Sequence, residues 1–413
     1  MKTNNIPKLR FPEFNIPWKN SSIRDLTTLV TKGTTPKKFS KNGVNYIKIE
    51  CLDGSKIDSN KCLFIDEDIH TKELKRSILK ENDILFAIAG ATIGKCVIVN
   101  SQVLPANTNQ ALSIIRLKSI ENIDFVYQIL TSEKMRKSIL DNISVGAQPN
   151  LNLEQINSFS FNTPSLPEQQ KIASFLTTVD DKISNLKQKI SLLEKYKKGV
   201  MQQIFSQQIR FKDTAGNDYP EWEEKSLGEV VQIQSSKRVL QEDWKNEGVP
   251  FYRTREIINL SNGEAFKTPI FISEKLFNEI KLKYGVPKAG DLLVTGVGTI
   301  GQTYIVKDED KFYFKDGNVL WFRLNEKISS EFLNQSFKTT FIKKQLSDNA
   351  SITTVATFTI DGAKNTIINI PSLPEQTKIA EFLSGIDEKI ETTKLQLSKM
   401  EVWKKGLLQG MFC

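Results

Sequence analysis

One long stretch of this chain occurs twice. Residues 164–205 begin Pro-Ser-Leu-Pro-Glu-Gln-Gln-Lys-Ile-Ala-Ser-Phe-Leu and end Tyr-Lys-Lys-Gly-Val-Met-Gln-Gln-Ile-Phe. Residues 371–412 begin Pro-Ser-Leu-Pro-Glu-Gln-Thr-Lys-Ile-Ala-Glu-Phe-Leu and end Trp-Lys-Lys-Gly-Leu-Leu-Gln-Gly-Met-Phe. The copies align without a gap, each residue matching the one 207 positions on, as Pro167 matches Pro374. Solenoid units are only about 20 to 50 residues long, so the period marks duplication of a whole domain followed by a long helix.

The pattern inside each copy specifies the helix. Val179, Ile183, Leu186, Ile190, Leu193, Val200 and Ile204 alternate in steps of four and three, with Lys197 on one turn. Ile386, Ile390, Thr393, Leu397, Met400, Leu407 and Met411 do the same, with Lys404 on the matching turn. Such spacing is the seam of a coiled coil. Pro167 and Pro374 suit a first turn, where a missing N–H costs nothing, and Glu168 and Glu375 suit the positive end of the helix dipole. Each helix is predicted to span about 40 residues, roughly 60 Å. Two helices in one chain, each with an open seam, most simply pair with each other.

The 413 residues allow two to four domains. A net charge of +9 permits a polyanion partner without requiring one. Residues 1–10 lack the apolar core of a signal peptide, and no run approaches 18 apolar residues, so a cytoplasmic protein without a membrane role is expected. Cys51, Cys62, Cys96 and Cys413 form no C-x-x-C pair and are read as reduced, mostly buried thiols. With His70 as the one histidine, a site needing two histidines is excluded and a Ser-His-Asp triad is disfavoured.

Each long helix follows a β-rich domain. The domains open with Leu9-Arg10-Phe11, Pro17 and Trp18, and with Ile209-Arg210-Phe211, Pro220 and Trp222. By the repeat, Phe11 and Trp18 should pack against the end of the second helix, bringing the chain ends together with an internal pseudo-two-fold. Strand-like runs then align in pairs: 43–49 with 248–254, 82–86 with 290–294, 92–99 with 299–306, and 112–117 with 319–324. A helix is expected over 123–140 and another over 330–346, and a small polar segment precedes each long helix at 144–150 and 351–357. The boundaries drawn are 1–163 for the first domain, 164–208 for its helix, 209–370 for the second domain and 371–413 for its helix. The fold class is α+β, with two tandem mixed α/β domains separated by two long helices that pair as an antiparallel coiled coil. The frames match and the intervening stretches diverge, as at 31–42 against 233–247. Two readers of different targets on one scaffold would look like this; so would drift of surface loops.

Enzyme motifs fail on context. Gly296-Val297-Gly298-Thr299-Ile300-Gly301 fits G-x-G-x-x-G, but a strand-like run follows where a dinucleotide site needs a helix. Gly90-Ala91-Thr92-Ile93-Gly94-Lys95 is one residue short of a P-loop, and Cys96 stands where Ser or Thr is required. No Asn-Pro-Pro-aromatic tetrapeptide occurs, nor a repeated carboxylate–lysine cluster. No catalytic residue is expected and no metal site. What remains is basic residues among hydroxyls and amides. In the first domain these are Lys32, Thr34, Thr35, Lys37, Lys38, Lys41, Lys48, Asn109, Gln110, Gln148 and Asn150. In the second they are Ser235, Ser236, Lys237, Arg238, Arg253 and Arg255. Lysines suit phosphates, arginine suits guanine, and Asn or Gln suits adenine. The plain alternative for any one of them is a solvated loop residue.

The Leu-Arg-Phe-Pro-Glu-Phe opening, the following Trp, the paired Pro-Ser-Leu-Pro-Glu-Gln helices and the Tyr/Trp-Lys-Lys-Gly run resemble the specificity subunit of type I restriction-modification enzymes. The resemblance covers the whole chain. It implies two target recognition domains, each reading half of a bipartite double-stranded DNA site, with the helices as a spacer. It also implies two methyltransferase subunits using S-adenosylmethionine to methylate adenine, and two restriction subunits using ATP and magnesium, with no cofactor bound by this chain. Pro167, Glu168, Gln169, Lys197, Pro374, Glu375, Gln376 and Lys404 fall in its spacer and subunit-docking region. The second domain has Gln234-Ser235-Ser236-Lys237 where the first has Gly33-Thr34-Thr35-Pro36, so base contacts do not carry over there residue by residue. The competing readings are a stand-alone DNA-modifying enzyme and a coiled-coil scaffold that binds no DNA.

Overall fold

The structure is a computed structural model that describes residues 6–142, 149–348 and 357–412. Its contacts divide the chain into two compact units, one of Met1–Gln188 with Lys394–Cys413 and one of Lys189–Thr393. The division falls inside both long helices, Leu166–Phe205 and Leu373–Met411, so each unit holds one domain and a segment of each helix.

In the first unit an antiparallel sheet runs in the order Thr27–Lys32, Leu112–Leu117, Ile84–Ala87, Cys96–Ile98. A second sheet places Val44–Ile47 between antiparallel Leu63–Ile65 and parallel Ala106–Thr108. A ribbon pairs Lys19–Ser22 with Ser160–Thr163, just before the first long helix. The second unit repeats all three. Its sheets run Gln232–Gln234, Val319–Arg323, Leu292–Thr295, Thr303–Ile305, and Phe271–Ile272, Val249–Tyr252, Tyr313–Phe314, with a ribbon of Glu223–Ser226 and Ile367–Ile370.

Side-chain alternation explains why the central strands are continuously apolar. Ile84 and Phe86 face one core, with Trp18 and Leu176, while Leu85 and Ala87 face another, with Ile47 and Val97. In the second unit Leu292 and Val294 join a core with Leu383, and Leu293 joins another with Phe314. A strand covered on both faces has no polar side to show.

Two expected helices are each broken in two. The first becomes Ile123–Leu130 and Glu133–Asn142, because Ser132 Oγ accepts the N–H of Met135 at 3.2 Å and caps a new helix. The second becomes Ser330–Ser336 and Thr340–Asp348, with Thr339 Oγ1 accepting from Ile342 at 3.3 Å. The glycine-rich runs are strand connections: Gly301 N–H bonds Thr295 O at 2.9 Å, so the chain turns back into Thr303–Ile305. Gly301 has φ +78°, and a Cβ there would meet Leu346 Cδ1 at 2.4 Å.

The helix seam is present within each unit. Val179, Ile183, Leu186, Ile204, Ile386, Ile390, Thr393 and Met411 are buried, and Ile190, Leu193, Val200, Leu397, Met400 and Leu407 are half-buried. Both seam lysines meet carboxylates on the opposite helix. Lys404 bonds Asp180 at 2.5 Å in the first unit, and Lys197 bonds both oxygens of Asp387 at 2.6 Å in the second. Lys187 with Glu401, at 2.8 Å, confirms the antiparallel sense.

Candidate nucleic-acid interface

The first unit gathers many of the candidate residues at the ends of three strands. Lys32 ends the first strand of the four-stranded sheet, and Gly33 follows. A Cβ on Gly33 would lie 2.0 Å from Thr108 O, so only glycine lets these backbones approach so closely. Thr34 N–H bonds Thr108 O at 3.1 Å, and Tyr46 Oη–H bonds Thr34 O at 2.9 Å. Thr35 Oγ1 donates to Gln110 Oε1, and the Asn109 side chain accepts from Ala111 N–H at 3.1 Å. Ile47 pairs with Thr108, so Lys48 leaves the neighbouring strand at the same end. Lys32, Thr34, Thr35, Lys48, Asn109 and Gln110 are thus brought together on braced loops. Asn150 joins them from another direction, since Leu151 N–H bonds Ile88 O at 2.8 Å and Ile88 N–H bonds Ala111 O at 2.9 Å. Lys37 and Lys38 turn toward the 66–73 segment: the Lys37 N–H bonds Glu73 and the Lys38 ammonium pairs with Asp66, each at 3.2 Å. Lys41 is exposed. Gln148 lies outside the described residues.

His70 lies behind this surface, buried, with Nδ1 against Asn107 Oδ1. Asn107 donates to Leu74 O at 3.0 Å and to Ser77 Oγ at 3.2 Å. The one histidine therefore holds a turn in place. Sequence reasoning missed what that turn carries, Arg76, whose Nη2 reaches Thr34 Oγ1 at 3.2 Å. The adjacent Lys75-Arg76 pair, aligned with Lys283-Tyr284 of the second domain so that arginine stands where the other copy has tyrosine, was the available signal.

The second unit builds the same corner from other residues. Ser235 Oγ accepts from Gly317 N–H at 3.0 Å, Ser236 Oγ donates to Phe314 O at 2.7 Å, and Lys237 N–H bonds Tyr313 Oη at 2.7 Å. The Lys237 ammonium sits 5.4 Å from the Tyr284 ring centroid, and Arg238 is exposed. Arg253 and Arg255 are both engaged within the unit. Both guanidinium groups bind Glu256, whose side chain is 2% exposed, Arg253 at 2.8 and 3.1 Å and Arg255 at 2.9 and 3.1 Å. Burial works against the Glu256 charge, yet bonds from Arg253 and Arg255 hold its carboxyl below the ordinary carboxylate range. These arginines fasten the helix Thr254–Asn262, an element the first unit replaces with the short hairpin Leu52–Asp53 and Lys56–Ile57.

The docking role expected for the start of each long helix needs correction. Glu168 is buried, accepting from Arg10 at 2.7 and 2.8 Å and from Trp18 Nε1 at 3.1 Å. Glu375 is buried, accepting from Arg210 at 3.0 and 3.3 Å and from Trp222 Nε1 at 3.2 Å. Gln169 accepts from Asn122 N–H and donates to Pro164 O, each at 3.1 Å. Gln376 does the same with Ser329 N–H at 2.8 Å and Pro371 O at 2.9 Å. These four side chains clamp domain to helix and offer no surface to a partner; Pro167 and Pro374 stay exposed. Lys197 and Lys404 are taken up by the seam carboxylates, each of which also receives an amide, Gln128 on Asp180 at 2.7 Å and Gln335 on Asp387 at 3.1 Å. The opening segments pack as the repeat implies: Phe11 on Phe175 and Phe211 on Phe382, with Trp18 in one core with Met411 and Phe412.

Known proteins resemble this chain over its length. A type I restriction enzyme specificity subunit, MjaVIII, of Methanocaldococcus jannaschii is 28% identical over 351 residues, covering 81% of this chain and 79% of that protein. The putative MjaX specificity subunit of the same organism is 24% identical over 98% of this chain and 95% of its own length. The crystal structure of a type I restriction-modification S subunit from M. genitalium matches the fold with a TM-score of 0.60 at 18% identity, covering 99% of each chain. The family model described as the type I restriction modification DNA specificity domain matches residues 15–195 and again residues 219–401. With both units accounted for in this way, the chain belongs to the type I restriction-modification DNA specificity family.

Proposed function

We propose that the chain serves a type I restriction-modification complex by reading a bipartite double-stranded DNA target, one half with each unit, and that it carries no catalytic residues of its own. The observation behind this reading is one framework used twice with different residues at the same strand ends. In the first unit the corner offers Lys32, Thr35, Lys48 and Gln110; in the second it offers Lys237 and Arg238. Lysines contribute salt-dependent phosphate attraction, while arginine and amide side chains distinguish base edges. A target in two parts needs two readers.

On the same reading two methyltransferase subunits, which bind S-adenosylmethionine, and two restriction subunits, which use ATP and magnesium, supply the chemistry, and the complex works in the cytoplasm. This chain's residues bind and orient DNA, and no step runs through a group it holds. Among the described residues no helix is long and apolar enough to cross a membrane.

The test is methyl transfer to DNA from S-adenosylmethionine, with the purified chain alone and with its methyltransferase subunits. The reading expects none alone and adenine methylation at a two-part motif for the complex. Methylation by the isolated chain would make it an enzyme. Gel shifts across a salt series address the scaffold alternative, since binding that does not weaken as salt rises would contradict phosphate contact.

A further inference from the structure

We infer that Arg76 reads a guanine in the half of the target contacted by the first unit; this assignment rests on the two-reader function proposed above. Of the unit's arginines, Arg10 binds Glu168, Arg24 binds Glu154, and Arg116 holds both oxygens of Asp83 at 2.7 Å. Arg136 belongs to a different element, the helix Glu133–Asn142. Arg76 is exposed, and its one described bond goes to a neutral hydroxyl, Thr34 Oγ1. A guanidinium has five N–H donors, so four remain to face solvent or a ligand.

The group is also held in position from behind. The turn Lys75–Ser77 is fixed by Asn107, which bonds Leu74 O and Ser77 Oγ and is itself bonded by buried His70. Asn107 lies in the strand Ala106–Thr108, which leads directly to Asn109 and Gln110. The partner hydroxyl lies on the loop locked to Thr108 by Thr34 N–H and, through Thr35, to Gln110. One strand end thus fixes both the arginine and an amide side chain, with Lys32 and Lys48 beside them for phosphates. A planar donor fork on a rigid support suits the adjacent O6 and N7 acceptors of guanine in the major groove. A lysine in its place would supply charge without the paired geometry.

The experiment maps adenine methylation by the full complex with its methyltransferase subunits, using wild-type chain, Arg76→Ala and Arg76→Lys. Thermal melts confirm that the variants fold; Arg76→Lys, which keeps the charge, carries the test if Arg76→Ala does not. The expected result is loss of guanine preference at one position of one half-site, by roughly tenfold to a hundredfold, in both variants. The other half-site stays unchanged. A motif that both variants leave intact would overturn the assignment, whether or not affinity falls. If affinity falls equally on all sequences and the salt slope drops by about one, Arg76 is a phosphate contact. A wild-type complex whose motif is not in two parts would overturn the underlying reading as well.

Discussion

At the start of each long helix the two units make the same bonds. A buried glutamate takes an arginine and a tryptophan from the segment that opens its domain, and the next glutamine ties the domain's helical region to the same point. At the strand ends the units differ. The first presents a glycine-tight loop with Thr35 bound to Gln110; the second presents serines bound to Gly317 and Phe314 and a helix fastened by Glu256. The repeated bonds at this point hold a domain to a helix, and the differing ones lie at the strand ends. A scaffold that must stay fixed while its reading surface changes would distribute its residues this way.

The comparison breaks first if the clamps are unequal. Glu168→Ala and Glu375→Ala each remove a buried carboxylate shared by a half-buried arginine and an indole N–H, while Arg10 keeps Ile16 O and Arg210 keeps Glu221 and two backbone carbonyls, and each should cost its unit about 1.5–3 kcal/mol. Urea unfolding of each variant measures this, and a cost confined to one copy would contradict equivalence. The seam lysines should follow with smaller and unequal effects. Replacing Lys404 leaves Asp180 with Gln128, whereas replacing Lys197 leaves Asp387 with Gln335 and also Lys338 at 3.7 Å. Lys404→Met should therefore cost more than Lys197→Met, within about 1–3 kcal/mol for either.

Acid should reveal the same seam. Burial raises the Asp387 carboxyl, but the Lys197 bond, the Lys338 charge and the Gln335 bond outweigh it and hold the group below its usual 3.8. Its folded value lies below its unfolded one, so its stabilisation is complete above the unfolded value and is lost as pH falls through the folded one. Wild type should lose stability relative to Asp387→Asn between about pH 5 and pH 2. Equal slopes would show that the pair contributes nothing. The outward loops should show the smallest stability effect: Thr35→Val should change unfolding by no more than about 0.5 kcal/mol. A larger loss would place that loop in the framework.

Much of the framework was legible in the sequence because duplication repeats whatever packing requires. The seam positions, the apolar positions of the aligned strands and the aromatic residues of the opening segments recur at matched positions, and these are buried or half-buried where the pattern puts them. The carboxylate partners of Lys197 and Lys404 were not legible, because Asp387 and Asp180 lie on the opposite helix, far along the chain. The breaks at Ser132 and Thr339 were hidden because one hydroxyl can cap a helix within an otherwise helical run. The roles of Arg253 and Arg255 were hidden for a similar reason. Residue type suits arginine to DNA, and only the fold shows that Glu256 is buried beneath both.

The central claim is that the two units read separately, and an exchange tests it most directly. Residues 209–370 are replaced by the corresponding stretch of another specificity subunit, and adenine methylation is mapped with the same methyltransferase subunits. One half of the methylated motif should change and the other should stay as it was. Change in both halves, or in neither, would contradict the account.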